Sequence, residues 1–277
     1  MNTTPLALPF EQSPAASPPL ISVILPTFQS AGWVQGALDS LARQTERDFE
    51  VVVSDGGSSD NTLAVIEACR SQLPALQVLS RKDRGVYDAI NLAMEACRGR
   101  WVYVLGSDDR LHANDTLAQV AATLRNTAAT VVYGDVRVLG VNAMVADGAR
   151  YGGPFTLARL MGQNICHQAL FMRRECHVRV GPYDLRFRLW ADWVLIQRLF
   201  VNEPTLWVDI VVADYAATGM STGASDSVFL ATRRQRLWSL WWARPWSLSV
   251  PNAVLRQLYW DMRKRRDVGL ARQSPGN

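Results

Sequence analysis

Trp101-Val-Tyr-Val-Leu-Gly-Ser-Asp-Asp109 is an apolar run that stops at a glycine, a serine and two adjacent carboxylates. The run predicts a buried strand ending in a polar turn. The same construction occurs twice upstream, in Ile21-Ser-Val-Ile-Leu-Pro-Thr27 and in Val51-Val-Val-Ser-Asp-Gly-Gly57. Leu76-Gln-Val-Leu79 reads as another short strand. Between these runs apolar residues recur at helical spacing: Val34, Leu38 and Leu41, then Leu63, Ile66 and Cys69, then Ile90, Ala93, Met94 and Cys97. Asp60 or Ser59 is placed to cap the second helix. Strand–helix alternation of this kind predicts an α/β fold, with a mostly parallel sheet covered by helices on both faces. Ligands bind such sheets beyond the carboxyl ends of the strands. Thr27, Asp55 and Asp108–Asp109 all fall there.

Beyond residue 125 the pattern loosens. Val131–Tyr133, Val136–Leu139, Gln168–Met172 and Leu206–Val212 are predicted strands, and Leu189–Phe200 a helix. Residues 226–243 and 251–266 are predicted helical, broken by Pro245 and Pro251. The expected organisation is a Pro/Ser/Ala-rich disordered leader over 1–19, a domain over 20–215 whose pattern changes after residue 125, and a basic, Trp-rich helical tail over 216–277.

Composition limits the function classes. The chain has 277 residues, of which 48% are hydrophobic and 19% charged, enough for a folded core. No apolar run is long enough to span a bilayer, and the N-terminus has no signal-peptide pattern. The four scattered cysteines, Cys69, Cys97, Cys166 and Cys176, suit reduced thiols. A cytoplasmic location follows as an expectation. Net charge is +4, but residues 233–272 carry ten Arg or Lys against two Asp, so the body is mildly acidic. Five of the ten Trp also lie in this tail. Trp and Arg on short helices suit an interfacial anchor on the inner face of the plasma membrane. Packing of the Trp residues on the body or on a homodimer partner is the competing reading. No motif for nucleic-acid recognition accompanies the charge.

Two adjacent carboxylates at a strand end repel each other unless a cation or hydrogen-bond donors offset them. Asp108 and Asp109 therefore read either as a hard-cation site for a diphosphate or as a solvated turn before a helix near Asn114. Asp55 precedes glycines that let a ligand approach closely, and it suits a base N–H. Asp83 and Asp88 crowd the start of the third helix, where acidic groups favour the positive helix end; a plain surface charge run explains them equally. Asp192 lies in the apolar segment Arg188-Leu-Trp-Ala-Asp-Trp-Val-Leu195, where partial burial would suit a general base, or where Arg188 would pair with it. His167 and Gln168, at a strand start, read as pocket lining, with a satisfied core histidine as the alternative. Adjacent Cys166 and His167, with Cys176 and His177, fit no standard zinc spacing. Walker, GxGxxG and GxSxG patterns are all missing, which argues against P-loop, dinucleotide and hydrolase chemistry.

Taken in order, Ser22-Val-Ile-Leu-Pro-Thr27, Val53-Ser-Asp-Gly-Gly-Ser-Ser-Asp-Asn-Thr62, Asp83-Arg-Gly-Val-Tyr-Asp-Ala-Ile-Asn91, Leu105-Gly-Ser-Asp-Asp109 and the segment around Asp192 resemble the family 2 glycosyltransferases. The Tyr-Asp-Ala-Ile-Asn and Ser-Asp-Asp forms are similar to the branch that builds bacterial exopolysaccharides, such as the colanic acid transferases. The resemblance implies a GT-A catalytic domain over 20–215, with a nucleotide-sugar half over 20–125 and an acceptor half over 126–215. It also implies inverting transfer from a nucleotide sugar, usually a UDP-sugar, to a saccharide or polyprenyl-linked acceptor. It implies that Thr27 and Asp55 hold the base, that Asp83 lies near base or ribose, and that Asp88 and Asp108 serve the donor. Asp109 would ligate Mg²⁺ or Mn²⁺, and Asp192 would be the catalytic base, with His167, Gln168 and Trp193 lining the acceptor pocket. The Gln-Xaa-Xaa-Arg-Trp signature of processive synthases is missing, which implies one sugar per encounter. Competing readings are a sugar nucleotidyltransferase, which would need a basic glycine-rich loop after the first strand, and a non-catalytic nucleotide-sugar-binding module.

Overall fold

The structure, a computed structural model, describes residues 17–140, 145–217, 226–243 and five positions between 251 and 259. The first half runs β1 (Ile21–Thr27), α1 (Val34–Ala42), β2 (Phe49–Asp55), α2 (Thr62–Ala68), β3 (Leu76–Ser80), α3 (Val86–Ala96) and β4 (Trp101–Val104). It continues through β5 (Arg110–Leu111), α4 (Thr116–Asn126), β6 (Val131–Leu139), β7 (Arg150–Tyr151), α5 (Leu157–Leu160) and β8 (Leu170–Arg173). Last come α6 (Arg174–Val180), α7 (Ala191–Asn202), β9 (Thr205–Ala216), α8 (Ser227–Ala231) and α9 (Arg233–Ala243).

All these strands join one nine-stranded sheet ordered β3-β2-β1-β4-β8-β6-β9-β5, with β7 on β6. From β3 to β4 every pairing is parallel. Parallel neighbours need crossovers that lay helices on the faces, which is why β1, β2 and β4 are mostly apolar and buried along their length, while the edge strand β3 is only partly buried. Every residue of β1 and β2 is buried. The pleat then sorts the side chains with period two. Val23, Leu25, Val51, Val53, Trp101 and Tyr103 pack toward α1, α2 and α4, while Ile24, Val52, Val102 and Val104 pack toward α3 and α7. Burying each such side chain contributes about 1.5–3 kcal/mol.

The second half departs in detail from the sequence reading. The two strands expected at 131–133 and 136–139 are one, β6, whose register against β9 shifts between Tyr133 and Val136. Gly134 lies at the shift, where a Cβ would collide with the Ile210 carbonyl, so β9 comes close only because glycine is there. The strand expected from Gln168 starts at Leu170, after a 3₁₀ turn at His167–Ala169. The helix expected over 226–243 is two, α8 and α9. Met161, Val201, Leu237 and Leu240 form a small separate core that seats α9. Of the leader expected over 1–19, residues 1–16 lie outside the described residues, and of the helix expected over 251–266 only five positions are described, all of them helical.

Candidate functional site

The loops after β1, β2 and β4 meet at the carboxyl edge of the parallel strands. Register puts Thr27 opposite Asp55, and the Thr27 hydroxyl donates to Asp55 Oδ1 at 3.1 Å. Asp55 is 1% exposed. It also accepts from the Gly57 and Ser58 amides at 3.0 and 2.9 Å and from the Ser58 and Ser80 hydroxyls at 2.5 and 2.8 Å. Burial works to raise its pKa, but these donors, Ser58 foremost, outweigh it and hold the carboxyl below its ordinary range. Five donors fill the acceptor capacity of a carboxylate, so a ligand N–H reaches Asp55 only by displacing a hydroxyl.

Gln29, at φ 50°, turns the β1 loop onto the β2 loop. Its amide N–H donates to Ser58 Oγ and its side chain to Ser59 Oγ, both at 2.9 Å. Asp60 Oδ1 accepts from the Thr62 amide at 3.1 Å, but the N-cap of α2 is Asn61, one residue beyond the expected Asp60 or Ser59, and its side chain makes no capping bond. A Cβ on Gly56 would stand 2.8 Å from Asp83 Oδ2 and 3.1 Å from the Phe28 ring, so carboxylate and ring close over the glycine. Phe28 is 62% exposed, an aromatic face left open at the rim of the edge. The sequence reading passed over it, although an aromatic directly after the strand-end Thr27 is a visible signal. Asp88 accepts from Arg84 at 3.0 Å, on the surface beside the site.

The β4 loop splits its two carboxylates. Asp108 is exposed, whereas Asp109 is 1% exposed. Asp109 accepts from Gln168 Nε2 at 2.7 Å and from the Ala216 amide at 2.8 Å. Burial first, and then the Asp108 carboxylate, push its pKa up to about 7. Ser107 and Ser30 hydroxyls lie 3.2 Å apart and tie this loop to that after β1. β2 and β4 flank β1 in the sheet, so the loops that carry Asp55 and Asp109 leave the same edge, with Asp109 turned toward Gln168 and the end of β9.

Asp192 stands in the first turn of α7. Its Oδ1 accepts from the Tyr87 hydroxyl at 2.9 Å and its Oδ2 from Asn164 Nδ2 at 2.8 Å. These, and not the guanidinium of Arg188, are its partners. Burial, and then Asp192 itself, push the Tyr87 phenol well above its ordinary range, so it stays a donor. Asn91, one turn along α3, exchanges two hydrogen bonds with the Tyr183 backbone, each at 2.9 Å. The Tyr87 and Tyr183 rings stack 5.5 Å apart. Within Val86-Tyr-Asp-Ala-Ile-Asn91, Tyr87 and Asn91 therefore dock α3 to the segment carrying Asp192. Periodicity treats both as ordinary helix positions and gave no hint of this.

Between the two acidic centres lies the turn His167–Ala169. His167 Nδ1 is 3.8 Å from Asp192 Oδ2, and Gln168 reaches Asp109. Burial lowers the His167 pKa against the pull of Asp192 and Asp108, leaving the imidazole neutral at pH 7. His167 Nδ1 and Asn164 Oδ1 are both buried without a hydrogen-bond partner. Trp193 donates from Nε1 to the Leu160 carbonyl at 2.7 Å and stacks on Phe229. It stands as a partly buried wall beside Asp192.

Asp108 offers an open carboxylate to a hard divalent cation, whereas both Asp109 oxygens already accept protein hydrogen bonds. Among the described residues no three His, Cys, Asp or Glu side chains cluster as a ready-made ligand cage. Two adjacent carboxylates are what Mg²⁺ or Mn²⁺ takes from a protein when phosphate oxygens complete its shell.

Residues 22–173 match the family model described as glycosyl transferase family 2. A Mycobacterium bovis PGL/p-HBAD biosynthesis glycosyltransferase is 38% identical over 259 residues, covering 90% of this chain and 99% of that one. Among solved structures, S. aureus TarS 1-349 in complex with UDP-GlcNAc superposes with a TM-score of 0.62 at 21% identity, over 84% of this chain and 69% of that one. The Pyrobaculum calidifontis mannosyltransferase PcManGT, in complex with GDP-Man and Mn²⁺, gives 0.58 at 19% identity, over 97% and 85%. The structural likenesses are likenesses of fold. The sequence matches carry the classification: this chain belongs to glycosyl transferase family 2 and is a glycosyltransferase.

Proposed function

We propose that the chain transfers a single sugar, with inversion, from a nucleotide sugar to a hydroxyl of a saccharide or lipid-linked acceptor in cell-surface glycoconjugate synthesis. The observation that carries this reading is the turn His167–Gln168, which meets Asp192 with one residue and Asp109 with the next, beside the strand-end loops that carry Asp55 and Asp108. A UDP-sugar is the favoured donor. Phe28 offers a stacking face for its base, while Thr27 and Asp55 hold the loop beneath it and Asp83 closes from the side. Asp88 holds Arg84 at the α3 end, next to the donor's phosphates.

Asp109 and Asp108 would hold Mg²⁺ or Mn²⁺, whose chemistry there is neutralisation of charge on the departing nucleoside diphosphate. Asp192 takes the proton of the acceptor hydroxyl as that oxygen attacks the anomeric carbon. Tyr87 and Asn164 fix its carboxylate, and a positioned base of this kind contributes about 10²–10⁴-fold. Asn164 Oδ1 and His167 Nδ1, without protein partners, are placed to bind acceptor hydroxyls beside it. Trp193 supplies an apolar wall for a sugar ring.

No described helix is long and apolar enough to cross a membrane. A tail that rests on the inner membrane surface would bring a lipid-linked acceptor to the site.

The test is a thermal-shift panel of nucleoside diphosphates and nucleotide sugars with and without Mn²⁺, followed by transfer assays. Cation-dependent stabilisation by one donor class, with transfer abolished in Asp192→Asn, is the expected result. Donor binding without any transfer would leave a binding module instead.

A further inference from the structure

A cavity of about 220 Å³ opens between α7 and α9 and is closed by the segment before α7. Three guanidiniums, Arg186, Arg198 and Arg236, line it against one carboxylate, Asp184, which leaves two positive charges in excess. Arg186 forks onto Asp184, with NH2 at 2.6 Å and Nε at 3.0 Å. Arg236 is pinned, donating to the Phe229 carbonyl at 2.8 Å with its guanidinium 3.5 Å from the Phe229 ring centroid. Arg198 is held loosely: NH2 is 3.8 Å from Asp184 Oδ2, and NH1 is 3.5 Å from the Val180 carbonyl. Neither distance is that of a good hydrogen bond.

Like charges gathered in a small concavity cost free energy that an anion would return, and the planar guanidinium fork matches paired phosphate oxygens. We propose that this cavity is a phosphate-binding site separate from the nucleotide edge, with Arg198 as its adjustable donor. Its place bears on transfer without depending on that reading. Arg198 sits six residues along α7 from Asp192, about 9 Å by helix rise. The adjoining α8 and α9 expose Val228, Leu230, Trp238 and Trp242. A phosphate at the head of an anionic lipid and one on a soluble or acceptor molecule present the same chemistry to the cavity.

Titration of the full chain with inorganic phosphate, against chloride at equal ionic strength, tests this by thermal melting and calorimetry. Saturable stabilisation is expected in the wild type and in Arg125→Gln, a remote surface control. In Arg198→Gln the Kd should rise about tenfold or more, with Arg198→Lys in between. A phosphate response no different from chloride, or equal in R198Q and R125Q, overturns the proposal. Should R198Q melt lower than wild type in chloride, the R198K Kd takes its place in that comparison. Co-sedimentation with phosphatidylcholine vesicles, with and without phosphatidylglycerol, then identifies the source. Loss of the phosphatidylglycerol-dependent part in R198Q supports the site with a lipid headgroup as its occupant. Equal vesicle binding alongside weakened phosphate binding supports it with a soluble or acceptor-borne phosphate.

Discussion

His167 Nδ1 faces Asp192 Oδ2 at 3.8 Å with no hydrogen-bond partner of its own. The next residue, Gln168, turns the other way and donates to Asp109 at 2.7 Å. One short turn before β8 thus touches both acidic centres, Asp192 and Asp109. Burial keeps the imidazole neutral, and it adds no positive charge beside Asp192.

Asp192→Asn keeps shape and hydrogen-bond reach but removes the proton acceptor. Transfer should fall about 10²–10⁴-fold in kcat, while the Kd for UDP with Mn²⁺ stays within twofold (~0.4 kcal/mol). Steady-state transfer and calorimetry on one preparation check both.

Tyr87→Phe strips Asp192 Oδ1 and the Leu189 carbonyl of a shared donor, at a cost of about 1 kcal/mol in stability. The expected kinetic signature is a lower kcat with little change in donor KM. A donor KM that rises in step with the loss would place Tyr87 on the nucleotide side instead.

Phe28→Ala removes an exposed ring, so melting in the absence of ligand should scarcely move. UDP affinity should drop by about 1–3 kcal/mol, the worth of one base–aromatic stack. Calorimetry with UDP reads the difference directly.

Glu50 gives a pH-dependent prediction away from the site. It is buried at the opposite end of β2 and accepts from the Ser22 hydroxyl, the Arg98 and Gly99 amides and the Arg98 guanidinium. Burial acts to raise its pKa, yet Ser22 and Arg98 prevail and hold it below the ordinary 4.5. Its folded pKa is lowered, so its stabilisation is complete above 4.5 and fades as pH falls through the folded value. Glu50→Gln should therefore cost about 2 kcal/mol at pH 7. That deficit should shrink in melts taken progressively below pH 4.5.

How much was legible in the sequence follows from the range of the forces involved. The strands β1 to β4, their helices and the polar strand ends are set by patterning within a few residues, because a strand buried on both faces draws most of its residues from the apolar set. The sequence by itself therefore determined the parallel half of the sheet and the edge where Thr27, Asp55 and Asp108–Asp109 would meet. Only the tertiary structure decided which of Asp108 and Asp109 is buried, that Gln168 supports the latter, and that Tyr87 and Asn164 hold Asp192. The Tyr87 and Gln168 contacts join residues 105 and 59 positions apart, a separation that no local periodicity encodes. They exist because β8 enters the sheet antiparallel between β4 and β6 while helix α7 packs on its face, which turns distant side chains into neighbours.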